Sequence, residues 1–219
     1  MAIMSAAWKL TKKHYELILG IAVVSLIIGV AIQMTPFLRY LLPLPMTMLG
    51  AGSMYIFREL TEGRPAKFGD VFRAFQDSRW MTALMPLAVT GVGFTLAQAG
   101  LAKAVDGGGA FGLLISILSF SISIVWGIMV AFSIPLIIFK DKTFVETIDL
   151  NLRAIKLNWK PILMWWICLF GVIFISLICL VLPFIFIGLP VVMASGYFAY
   201  AVNFEGLNVP AAVERLKER

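Results

Sequence analysis

The sequence predicts an all-α integral membrane protein, with six transmembrane helices arranged as three hairpin repeats. A cytoplasmic, interfacial amphipathic helix precedes each hairpin. Three observations lead there. Uncharged stretches at 17–38, 40–57, 80–102, 107–139 and 161–204 dominate the 219 residues. Sixteen of the 18 basic residues fall on alternate connections between those stretches, and only Arg39 and Lys103 fall on the others. The basic connections also share a helical spacing of apolar residues.

Composition sets the solvent. The chain is 61% hydrophobic and 14% charged, with a mean hydropathy of +0.95. Soluble domains run near a quarter charged, and a soluble domain this apolar would expose aggregating patches. A bilayer core about 30 Å thick takes ~20 apolar residues per helix. The first four stretches supply one span each, and the fifth, with 44 residues, is long enough for two. Lys and Arg concentrate in cytoplasmic loops, so both termini are expected in the cytoplasm, which requires an even number of spans. Proline cannot continue a helix's hydrogen bonding, so the fifth stretch is expected to divide near Leu182 and Pro183.

The first repeat covers about 3–62. Met4, Trp8, Thr11 and Tyr15 recur at helical spacing before its first span, among Lys9, Lys12 and Lys13. That span is longer than a signal-peptide core and reads as retained. The second repeat, about 63–142, opens on Phe68, Phe72, Phe75 and Trp80. The third, about 143–205, opens on Phe144, Ile148, Leu152, Ile155 and Trp159. Opposite that stripe lie Glu146, Asp149, Arg153, Lys156 and Lys160, which makes an amphipathic helix suited to the interface plane. The second span of each hairpin ends alike, at Phe57-Arg58-Glu59, Phe139-Lys140-Asp141 and Phe204-Glu205. A short amphipathic tail, 206–219, carries Val209, Val213 and Leu216. Two spans per repeat give the copies one orientation, so an axis along the membrane normal should relate them.

Chemistry is sparse. Ionisable residues inside a bilayer mark proton paths and substrate sites, and none falls within the predicted span cores. His14 lacks converging partners and reads as an interfacial polar group. Cys168 and Cys179, roughly 16 Å apart along one helix, are too distant for a disulfide. Gly107-Gly108-Gly109 lacks the phosphate-loop pattern. The sequence therefore offers no catalytic residue, cofactor site or metal site. In the fourth span Gly112, Ser116, Ser119, Ser123 and Gly127 share a face. Such residues let helices approach closely in lipid; a pore lined by these serines and Gln98 is the competing reading.

Two segments carry a resemblance: the run from Gly63 through Arg64, Pro65, Lys67, Phe68, Asp70, Phe72, Arg73 and Phe75, and the run from Thr143 to Asn158 and Trp159 before a span. The chain is similar in these segments to YciC-like and related domain-of-unknown-function proteins of the bacterial inner membrane. The resemblance implies a six-span protein of the cytoplasmic membrane and brings no activity with it. Mitochondrial carriers, also built from three two-span repeats, are excluded because their Pro-x-Asp/Glu-x-x-Lys/Arg motif is absent.

The expected role is non-enzymatic. Charge and aromatic content gather in the amphipathic helices, which would bind anionic lipid headgroups, a membrane-protein partner or a second copy of the chain. Juxtamembrane lysines and arginines are attracted to such headgroups by about 1 kcal/mol each, which places lipid ahead of nucleic acid. The candidate residues are Arg64, Lys67, Phe68, Asp70, Phe72, Arg73, Arg153, Lys156 and Trp159. A channel or facilitator for a small neutral or hydrophobic solute is the alternative.

Overall fold

The computed structural model describes residues 2–105, 109–178 and 184–217, and their regular elements are all helical. In order these are α1 (Ala2–Lys13), α2 (Tyr15–Gln33), α3 (Pro43–Glu62), α4 (Arg73–Gln76), α5 (Ser78–Val105), α6 (Gly109–Val130), α7 (Ser133–Lys140), α8 (Phe144–Ile178), α9 (Leu189–Phe204) and α10 (Val209–Lys217). Short 3-10 turns precede α3 and α4, and a π turn, Phe184–Gly188, leads into α9. Five segments are long and apolar enough to cross a membrane: Tyr15–Gln33, Leu38–Glu62, Ser78–Lys103, Phe111–Lys140 and Ile185–Phe204. The expected division at Leu182 and Pro183 lies outside the described residues, as does Cys179.

Local chemistry explains where the helices break. His14 (φ −119°, ψ 39°) separates α1 from α2, and Asn158 (φ −125°, ψ 36°) interrupts α8 in almost the same conformation. Asp77 (φ −92°, ψ 105°) separates α4 from α5. Its carboxylate accepts the backbone N–H of Arg79 at 2.9 Å, capping the new helix. Each break falls three residues before the start of a predicted span, ahead of the last member of the predicted apolar stripe. Left-handed residues follow α3, α7 and α9: Gly63 (φ 76°), Asp141 (φ 51°) and Gly206 (φ 64°). At Gly63 this conformation lets two N–H groups return to the carbonyls of Leu60 and Glu59, satisfying acceptors that the helix end would orphan.

Helix α3 is central. It packs against α2, α5, α7, α9 and the turn before α4. Its middle reads Gly50-Ala51-Gly52-Ser53, and this run of small residues admits those neighbours. A methyl group on Gly52 would lie 2.0 Å from the Val71 carbonyl oxygen, so only hydrogen fits there. The Gly50 surface meets Ile134 of α7, and Met54 meets Gly196 of α9. Around this contact Leu49, Ile56, Phe57, Tyr197, Phe198 and Tyr200 are almost fully buried.

The structure changes one expectation and adds detail to two others. The apolar stripe expected of the first helix was Met4, Trp8, Thr11 and Tyr15. In the structure α1 buries Ala6, Ala7, Leu10 and Thr11 against α9 and α10, while Trp8 and Tyr15 are exposed. Two alanines let the helices come together more closely than tryptophan could. The stripe Phe68, Phe72, Phe75 and Trp80 does not lie on one helix either. Pro65 and Gly69 disfavour a helix, and the chain forms a 3-10 turn, then α4, then α5. The stretch 107–139, expected as one span, corresponds to the single apolar segment Phe111–Lys140; inside it the helix kinks between α6 and α7, just before Pro135, which has no N–H to bond the preceding turn. The Asn151 amide, fully buried on α8, donates to the freed Met129 carbonyl at 2.8 Å and to Ser133 Oγ at 3.2 Å. Thr147 stands 3.0 Å from the same hydroxyl. The protein-facing side of α8 thus carries Thr147, Asn151 and Ala154, while Leu152 and Trp159 of the expected apolar stripe are exposed.

Two consequences can be measured. Gly52→Ala forces its methyl into a backbone carbonyl and should destabilise the fold by about 3 kcal/mol. Gly93→Ala, where a methyl meets nothing within 4 Å, should leave the melting temperature in detergent near the parent value. His14, half-buried, is held below its ordinary value of 6.5 by burial and then by Lys13. The fold prefers the neutral imidazole, so this group costs nothing at pH 7.5 and destabilises progressively as pH falls below 6.5. A pH series of melting temperatures should show that acid limb, and His14→Gln should flatten it.

Candidate membrane-interface site

Among the described residues, the connection 63–77 is fastened to the helices around it by ion pairs, turns and ring contacts. It leaves α3 at Gly63, and Arg64 then folds its guanidinium back over the helix it has just left. Arg64 Nε and Nη2 lie 2.5 and 2.6 Å from the two oxygens of Glu59, a forked, charge-assisted pair. Glu62 completes the clamp through Arg64 Nη1. Glu59 is nearly buried, so the pair neutralises a carboxylate that is costly to leave alone. The hydrogen bond to Glu59 raises the Arg64 guanidinium further above its ordinary value.

Asp70 shapes the next turn. Its carboxylate accepts the Lys67 N–H at 2.8 Å, and its own N–H donates to the Lys67 carbonyl at 3.0 Å. The turn Phe68–Phe72 presses Val71, fully buried, onto Gly52. Phe68 lies over Gly20 of α2 and meets Phe72 edge-on at 6.2 Å, and Phe72 in turn meets Phe75 at 6.4 Å. Arg73 places its guanidinium 4.2 Å from the Tyr55 ring and 5.5 Å from the Trp80 ring, a cation–π contact worth roughly 1 kcal/mol when part-exposed.

Ion pairs and rings then join this segment to the ends of two other helices. Arg79 bonds Asp141, just past α7, at 2.6 Å. Arg58 pairs with Glu62 at 2.9 Å and lies over the Phe139 ring at 4.5 Å. Phe139 packs on Tyr200 at 5.9 Å, and Tyr200 donates to Glu205 at 3.2 Å. The C-terminal ends of α3, α7 and α9 therefore meet. On α8, Arg153 pairs with Asp149 at 2.8 Å, one turn away. Lys160 lies 5.7 Å from the Trp159 ring.

Of the nine candidate binding residues, the structure thus brings Arg64, Lys67, Phe68, Asp70, Phe72 and Arg73 together in one segment. Arg153, Lys156 and Trp159 stand separately on α8. The arginines and Asp70 are engaged within the fold. The exposed lysines Lys12, Lys67, Lys140, Lys156 and Lys160 have no acidic partner within ion-pair distance among the described residues. Gly52, Tyr55 and Asn151 were not singled out from the sequence, and Glu59 was read only as part of the span exit Phe57-Arg58-Glu59. The run Gly50–Ser53 within an apolar stretch was the available signal for the first of them.

The small-residue face does not form one lining. Gln98 of α5 donates to Ser123 Oγ at 3.0 Å and to the Ser119 carbonyl at 3.2 Å, and Ser119 donates back to Gln98. Ser116 donates to the Gly112 carbonyl within α6 at 2.9 Å. Gly127 instead faces Trp166 of α8. Among the described residues no group of three or more His, Cys, Asp or Glu could hold a metal.

The chain matches no known family model, and neither the curated proteins nor the solved structures include a significant match. The YciC-like resemblance therefore rests on the two segments that carry it.

The clamp predicts a protease signature. Trypsin cleavage after Lys67 should rise several-fold in Arg64→Gln and in Arg73→Leu, each of which releases the 63–77 segment. In Arg153→Gln it should not change, because that pair lies on another helix.

Proposed function

We propose that the protein is a non-enzymatic component of the bacterial cytoplasmic membrane that engages anionic headgroups through a cationic cytoplasmic face. On that face a membrane-protein partner or a second copy would bind as well. A division of labour between arginine and lysine carries the reading. Arginine's planar fork suits internal pairs, and Arg58, Arg64, Arg79 and Arg153 take up Glu59, Glu62, Asp141 and Asp149. The acids are thereby spent, and exposed lysines supply the outward charge. Lysine's compact, hydrated ammonium suits headgroups at a wet surface.

Further observations support six crossings in three repeats with both termini on one side. The terminal helices α1 and α10 pack together. Residues 159–178 of α8 carry one charge, Lys160, and are long enough for the sixth crossing. The matching backbone at His14 and Asn158, and the left-handed residues after α3, α7 and α9, recur in register with the proposed repeats. The conduction reading is weaker, since Gln98, Ser119 and Ser123 satisfy one another between two helices.

The test is lipid retention. Purified gently from membranes of mixed composition and weighed by native mass spectrometry, the parent should carry anionic lipid in excess of zwitterionic lipid. Replacing Lys12, Lys67, Lys140, Lys156 and Lys160 by Gln should abolish that excess. An unchanged lipid ratio would refute the proposal.

A further inference from the structure

A groove opens where the start of α5 passes the turn that joins α7 to α8. It holds about 340 Å³, and its lining includes Arg79, Ala83 and Pro86 of α5 with Asp141, Lys142 and Phe144 of the turn. The lining is graded. Arg79, Asp141 and Lys142 gather at the helix ends, and among the described residues no other charged group lines the groove. Ala83 and Pro86 lie farther along α5, roughly 6 and 10 Å from Arg79, so the groove turns apolar with depth.

Asp141 is the informative residue. Among the described residues it is the one non-glycine with a left-handed backbone (φ 51°), whereas the turns after α3 and α9 use Gly63 and Gly206. That conformation is strained for a residue bearing Cβ, and glycine would adopt it freely. The Asp141 carboxylate bonds Arg79 at 2.6 Å, but both side chains are largely exposed, and such pairs contribute little to stability. Its effect is positional. It holds the Arg79 guanidinium at the groove mouth, with the remaining N–H groups of the fork facing no acceptor among the described residues. The same turn brings the Lys142 N–H to the Leu136 carbonyl at 3.3 Å, which fixes Lys142 beside the pair. Lys142 is half-buried and has no acid within ion-pair distance among the described residues. Glu146, one turn on, instead accepts the Thr143 N–H at 2.9 Å. Two cations and one carboxylate leave a single positive charge at the mouth, the complement of one phosphodiester.

We propose that this groove seats one anionic glycerophospholipid, its phosphodiester at Lys142 and Arg79 and the start of an acyl chain along Ala83, Pro86 and Phe144. Free phosphate would leave the apolar half empty, and a zwitterionic lipid would leave the surplus charge uncompensated. The site deepens the headgroup reading and rests on it for a cytoplasmic position, but uses none of its five lysines. The probe is phosphatidylglycerol with a diazirine near the glycerol end of one chain, photolysed with the protein in proteoliposomes. The matching phosphatidylcholine is the control. Peptide mapping should give a phosphatidylglycerol-to-phosphatidylcholine labelling ratio at 78–88 and 137–146 several-fold above that at the exposed α6 residues Phe120 and Ile124. Lys142→Gln, which breaks no ion pair, should bring this ratio down to the α6 level. The variant lacking Lys12, Lys67, Lys140, Lys156 and Lys160 should keep it, so failure of the general lipid excess and failure of this site read separately. Excess soluble glycerol 3-phosphate should not displace the lipid. A ratio no higher than on α6, or one insensitive to Lys142→Gln, would overturn the site. Its loss in the five-lysine variant would reduce it to a general charge effect, and displacement by glycerol 3-phosphate would overturn the lipid as occupant.

Discussion

The rest of the structure depends on one close contact, the Val71 carbonyl against the bare backbone of Gly52. A connection between two spans would ordinarily run over the surface, where water satisfies its peptide groups. Here it is pressed against the middle of the central helix, at a separation that excludes even a methyl group. Such an approach gains dispersion contacts at every atom of the turn, and it fixes where the following residues can go. Phe68 then reaches α2, Arg73 reaches Tyr55 and Trp80, and Arg79 reaches Asp141. The small run Gly50–Ser53 acts as the socket for most of the bundle.

Charge is handled with the same economy. Carboxylates close to apolar helix ends are expensive unless paired. The structure pairs them with arginines from nearby turns, and one of those arginines, Arg58, also lies on an aromatic ring, as does Arg73. Arginine tolerates this because it is weakly hydrated and stacks well. Lys12, Lys67, Lys140, Lys156 and Lys160 stay exposed, so cationic charge of a chain with net charge +6 is carried outward.

Backbone polarity imposes the third constraint. In an apolar bundle every freed carbonyl needs a partner. The break between α6 and α7 frees carbonyls, and Asn151 is buried from a neighbouring helix to meet that of Met129. The polar side of α8 consequently turns inward at Thr147 and Asn151 while Leu152 and Val145 are exposed. Leu152 and Trp159 of the stripe expected at the interface are thereby left on the outer face.

Hydrophobic stretches of sufficient length, separated by basic connections, determined on their own that this chain is helical and suited to a bilayer, because burial of apolar length is additive along the sequence. The same reading placed Asp149 and Arg153 on one polar face of α8, where they pair one turn apart, because that spacing is local. Only the tertiary structure decided which face of α1 is buried, since two alanines beside a close neighbour outweigh one tryptophan. It also decided that segment 63–77 docks on α3 and that Asn151 turns inward. Those outcomes depend on distances between residues far apart in the chain, and periodicity within a single segment carries no information about such distances.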